Sequence, residues 1–169
     1  HLPKTVDKNT LVVTTSVSGN TSETLTVLEA TKKINTNVVA FSSNGRMENF
    51  CRTNNILHKI IPQYHSPRAS FTAYLYGMLK ILKPILPIKE EDIQESINEL
   101  FKLRNKISSS NISDENPSQE LAKWIKGIPL IYYPWGLQAS AIRFKNSLQE
   151  NGKTHVIAED VVEACHNGI

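Results

Sequence analysis

Leu11-Val12-Val13-Thr14-Thr15-Ser16-Val17-Ser18-Gly19-Asn20-Thr21 is the stretch that decides the fold. Its first six residues are a β-branched run of strand length, followed at once by hydroxyl residues and a glycine. Beyond it Val27, Ala30 and Ile34 recur at three- and four-residue steps with Leu28 alongside, which predicts a helix with one apolar stripe. Asn20, with Glu23 three residues later, reads as an Asn-led variant of the capping box at its start. Asn37 to Ser42 predicts a second buried strand closed by the turn Asn44-Gly45, and Ile56 to Ile61 a third short apolar run. Strand, helix, strand at this spacing implies a βαβ unit and a parallel sheet, hence an α/β fold.

The same rhythm continues with one interruption. Phe71, Leu75, Met78, Leu79 and Leu82 predict one helix, and Ile93, Ile97, Leu100 and Phe101 a second, with Pro84 and Pro87 between them. Ser108 to Ser118 has a linker composition, so the chain divides into a first half over 1–107, a linker over 108–119 and a second half over 120–169. In that half Leu121 to Lys126 reads as a helix end and Ile128 to Tyr133 as a strand. Leu137, Ala141, Phe144 and Leu148 mark a helix stopped by Gly152, and Thr154 to Ala158 is a further strand. Trp124, Trp135, Tyr132 and Tyr133 read as packing around this second sheet, and His58, His65 and His155 as surface or loop residues.

Composition excludes more than it assigns. The 19 basic and 16 acidic residues are interspersed at a net charge of +3, without the basic stripe and interleaved aromatics of a nucleic-acid binder. The richest apolar run, Met78 to Ile88, is broken by Lys80, Lys83, Pro84 and Pro87, so no membrane partner is expected. The N-terminus shows no signal-peptide pattern, and it begins with His1, which implies a lost upstream segment. Two cysteines without a CxxC, Cys51 and Cys165, fit a reducing, cytoplasmic compartment, and no metal-ligand spacing is present.

The chemistry concentrates in Ser16-Val17-Ser18-Gly19-Asn20-Thr21. A helix start leaves N–H groups without partners, and its dipole favours an anion. Ser16, Ser18 and Thr21 beside Gly19 can therefore wrap phosphate oxygens at the carboxyl ends of the strands. The same Ser, Thr and Asn residues would serve equally well as plain helix caps, and spacing leaves both readings open. GxGxxG and GxxxxGK[ST] are missing, which argues against dinucleotide and ATP binding.

Thr10 to Ala30 resembles the phosphosugar-binding loop of SIS (sugar isomerase) domains. The likeness extends through Ser-Ser-Asn-Gly (42–45), Pro-Arg-Ala-Ser (67–70), Ala-Ile-Arg-Phe-Lys from Ala141, Glu-Asn-Gly-Lys (150–153) and His-Asn (166–167). Together these motifs resemble the bifunctional phosphoglucose/phosphomannose isomerases. The resemblance implies SIS-type parallel sheets flanked by helices, a flavodoxin-like three-layer arrangement in two halves, both incomplete. The Gly-Gly-Ser loop that opens family members and the lysine that closes them are missing, so the chain is expected to be about half of a longer protein, inactive or weakly active alone.

By position, the resemblance makes Ser16, Ser18 and Thr21 the holders of the substrate phosphate. Arg68 becomes the stabiliser of developing negative charge, and Glu150 the carboxylate that shuttles a proton between C1 and C2. His166 becomes the histidine that opens the sugar ring from a neighbouring subunit of a homodimer. Hexose 6-phosphates are the implied substrates, with no metal or organic cofactor, because acid–base chemistry suffices. A phosphosugar sensor without catalysis is the alternative. The residue types suit the chemistry: a carboxylate can remove and return the same proton. A guanidinium suits an enediolate, and an imidazole can relay a proton near neutral pH.

Overall fold

A computed structural model describes residues 2–113 and 115–168; the His1 start, Asp114 and the Ile169 end lie outside the described residues. The chain forms two compact units, 1–89 and 90–169. In the first, the opening stretch is strand β1 (Leu11–Ser16), followed by α1 (Ser22–Thr31), β2 (Asn37–Ser42), α2 (Arg46–Thr53), β3 (Leu57–Ile60) and α3 (Phe71–Leu82). The three strands pair in parallel in the order β1-β2-β3, with Ser16 opposite Ser42 and Ser42 opposite Ile60.

Alternation along β2 builds the layers, because successive side chains of a strand point to opposite faces. Ala40 packs with Leu25 and Leu28 of α1 and with Met47 and Cys51 of α2. Val39 and Phe41 pack on the other face with Ile61 and with Tyr74 of α3. The unit is thus a helix–sheet–helix sandwich, with the parallel sheet that spacing implies and the three layers that the resemblance implies.

Two details of α1 differ from the sequence reading. The helix ends at Thr31, and Asn35 takes a left-handed φ of 54°, so Ile34 never joins the stripe. Leu25, Leu28 and Thr31 are the buried face instead. The expected Asn20–Glu23 capping box does not form: Thr21 is the N-cap residue, and no side chain caps the helix.

The second unit holds α4 (Glu90–Ile107), α5 (Pro117–Trp124), β4 (Leu130–Tyr133), α6 (Gln138–Gly152), β5 (Ile157–Asp160) and the short α7 (Val161–Glu163), which runs into a single π turn over Ala164–Gly168. Strands β4 and β5 are parallel, with α6 as the crossover. The Ser-rich stretch folds back on itself, since the buried Asn116 donates to Asn111 O at 2.8 Å and accepts from Ser118 N at 3.0 Å. That bond caps α5, which starts at Pro117, the position where a missing N–H does no harm.

Helix α6 runs through Gly152, and Lys153 takes the left-handed cap at φ 53° that glycine was expected to supply. The aromatic packing expected here is also corrected. Trp124 and Trp135 are 78% and 94% exposed and Tyr132 is exposed, while Tyr133 is half-buried. Among the described residues no helix is long and apolar enough to cross a membrane.

Candidate functional site

The loop after β1 and the loop after β2 close on each other at the carboxyl edge of the first sheet. Gly19 sits at φ 68° against the Asn44 carbonyl, and Gly45 sits at φ 88° against the Ser18 carbonyl. A Cβ at either position would collide with that backbone, so glycine is required twice over. Ser43 donates from its backbone N–H and its hydroxyl to Val17 O, at 3.0 and 2.6 Å.

The two helix N-termini then diverge. At α2 the first N–H groups are taken: Arg46 N donates to Asn20 Oδ1 at 3.1 Å and Met47 N to Gly19 O at 2.9 Å. Asn20 thus caps the neighbouring helix, not its own, and its Nδ2 holds Ser18 O at 3.0 Å. At α1 the first helical bond is Leu25 N to Thr21 O, so the preceding turn carries the N–H groups that a helix start leaves without intrahelical partners. Around that turn, Ser16 Oγ and Thr21 Oγ1 lie 2.8 Å apart, and Ser18 Oγ accepts from Asn20 N at 3.2 Å. The three hydroxyls expected to hold phosphate are therefore gathered at one uncapped helix start, with Ser16 buried and Ser18 and Thr21 exposed.

Arg68 opens a 3-10 turn over Arg68–Ser70 after Pro67, on the loop that leaves the carboxyl end of β3, and it is exposed. Ser70, fully buried, locks this turn by accepting from Tyr64 N at 3.1 Å and donating to Ser66 O at 2.9 Å. Topology thus brings Arg68 and the hydroxyl loop to the same edge of one sheet.

Glu150 and His166 belong to the second unit. Glu150 is exposed on the last turn of α6, which precedes β5, whereas the exposed His166 lies in the π turn that follows β5. A crossover helix runs against its strands, so within one chain these two residues stand at opposite edges of the second sheet.

Two residues beside the loops lie outside the motifs. His58 reads from the sequence as a surface or loop residue, yet it is half-buried on β3, and its Nε2 lies 2.8 Å from Ser42 Oγ. Burial lowers its pKa, opposed by the nearby Glu48 carboxylate. The signal was present but non-local: Ala40 faces His58 in register, so Ser42 is the diagonal neighbour two residues on. Cys51 is buried on the core face of α2, and desolvation pushes its thiol up to about 11, which leaves it unreactive.

Residues 114–169 match the family described as the bacterial phospho-glucose isomerase C-terminal SIS domain. The chain is 28% identical over 177 residues to the bifunctional phosphoglucose/phosphomannose isomerase of Caldicellulosiruptor bescii, covering 99% of this chain and 51% of that protein. It is 30% identical over 167 residues to the protein of the same name from Thermoplasma acidophilum, covering 99% and 50%. The chain resembles the SIS-domain bifunctional phosphoglucose/phosphomannose isomerase family along nearly its whole length. It spans about half the length of the curated relatives it matches. The SIS-type fold also superposes on glucosamine-6-phosphate deaminase from Thermotoga maritima with a TM-score of 0.74 at 15% identity, covering 99% of this chain and 50% of that one.

Proposed function

We propose that this SIS-type chain belongs to an aldose–ketose isomerase that interconverts glucose 6-phosphate, and mannose 6-phosphate, with fructose 6-phosphate. The observation that carries the reading is the start of α1, which has no side-chain cap while Ser16, Ser18 and Thr21 gather around it. Thr21, the N-cap residue, makes no side-chain cap bond, which favours the phosphate reading over plain capping of α1. An uncapped helix start with hydroxyls and a close glycine suits a phosphate dianion. Similarity to sugar-phosphate isomerases over 99% of the chain supplies the reaction class.

In this reading Glu150 removes the C2 proton of the open-chain aldose and returns it to C1, while Arg68 stabilises the negative oxygen of the enediolate. His166 moves the proton between ring oxygen and anomeric hydroxyl that ring opening requires. Since Glu150 and His166 stand at opposite sheet edges, the His166 that serves one Glu150 comes from a second copy, and the reading calls for a homodimer.

The same separation favours the second reading, a phosphosugar sensor that uses the hydroxyl loop alone. The intact protein carrying Glu150→Gln separates the two. Isomerisation should fall by at least about a hundredfold in a coupled assay, with fructose 6-phosphate binding retained. Unchanged turnover removes Glu150 from the mechanism, and a wild-type protein that binds fructose 6-phosphate without converting it leaves the sensor.

A further inference from the structure

We propose that His58 is a positioning residue of the hydroxyl loop, acting through Ser42 and Asn44 from the far side of the sheet edge. The inference rests on the phosphate reading of that loop and names a residue which neither the motif nor the resemblance assigns.

The hydrogen-bond inventory fixes the direction of the relay. Ser42 is fully buried, and its hydroxyl has one proton, which it donates to Asn44 O at 2.9 Å. His58 Nε2, 2.8 Å from the same oxygen, must therefore donate to it. A neutral imidazole has a single N–H, and this geometry places that proton on Nε2. The chain His58 Nε2–H to Ser42 Oγ–H to Asn44 O ends on the carbonyl against which Gly19 packs. The next residues complete the support: Gly45 lies on Ser18 O, Arg46 N holds Asn20 and Met47 N holds Gly19 O. Loop 42–47 is thus the floor on which loop 16–21 rests.

Without the imidazole donor, the buried Ser42 oxygen loses one of its two partners, and the hydroxyl that holds the Asn44 carbonyl is less firmly oriented. Side chains that hold a ligand within a fraction of an ångström depend on such support. The remaining groups around His58 do not replace it. Across the strand pair the same sheet face carries Ala40 and Ser42, and from α2 the charged neighbour is Glu48, an acceptor.

The test is calorimetry of the intact protein with inorganic phosphate and with fructose 6-phosphate, on wild type, His58→Leu and His58→Gln. Glutamine places an amide N–H near the Nε2 position, whereas leucine has no donor. The expected result is binding about tenfold weaker in His58→Leu, restored toward wild type in His58→Gln. On a Ser42→Ala background, His58→Leu should cost no further affinity. Equal binding by all variants, or equal loss in the leucine and glutamine variants, overturns the proposal. If His58→Leu does not fold, long-range nitrogen–proton correlation spectra of the wild type decide: a proton on Nε2 supports the relay, and one on Nδ1 overturns it. Should the wild type bind neither ligand, the phosphate reading itself falls, while the spectra still decide the His58–Ser42 bond.

Discussion

Two glycines and three hydroxyls set the shape of the loop at the residue scale. Gly19→Ala places a Cβ into the Asn44 carbonyl at a φ of 68°, where an L side chain is strained even in open space. The expected outcome is loss of phosphosugar binding by more than about tenfold, read by calorimetry. His58 adds a pH dependence whose sign follows from its burial. Its pKa is lowered below the ordinary 6.5, so the unfolded chain takes up the proton first. This contribution is intact above about pH 6.5 and is lost as pH falls through that value toward the lower folded one. Glu48 pulls the other way and narrows the window. Thermal melts at about pH 7.5 and about pH 5.5 should show a smaller acid loss in His58→Gln than in wild type. An equal loss would mean that His58 titrates as freely in the fold as in the unfolded chain.

The strands of the first unit and its helices α1 and α3 were legible in the sequence, because β-branched runs and three–four spacing are local signals, whereas the eight-residue α2 (Arg46–Thr53) was not expected. Leu11–Ser16 and Asn37–Ser42 are strands at the expected residues, and Phe71–Leu82 is the helix its apolar spacing implied. What escaped was every contact made across the register. Asn20 reads locally as the cap of its own helix, yet its side chain serves Arg46, 26 residues away. His58 reads as a polar residue in a short strand until β2 is laid beside it. Trp135 reads as a packing residue beside its strand, and nothing local announces that it is 94% exposed. At this scale Asn20→Ala removes a helix cap and a loop tether together, and should destabilise the fold by about 1–2 kcal/mol, read by denaturant titration. Phe41→Ala, which empties the centre of the α3-facing layer, should cost about 3–5 kcal/mol. A much smaller Phe41 effect would show that this layer is not the core.

The two units of the whole molecule differ in how much they bury. The first unit holds a helix layer on each face of its sheet, whereas Ala141, Val156 and Ala164 are the buried apolar side chains among the described residues of the second. Amide exchange should accordingly be slowest in β1, β2 and α1 and faster throughout β4 and β5, since protection follows buried contact. The proposed chemistry divides the same way, with Ser16, Ser18, Thr21 and Arg68 in the first unit and Glu150 and His166 in the second. An amide chemical-shift titration with fructose 6-phosphate addresses the central claim most directly. Saturable shifts of the N–H groups from Ser16 to Thr24 are the predicted result, and saturable shifts confined to other residues, or none, would contradict it.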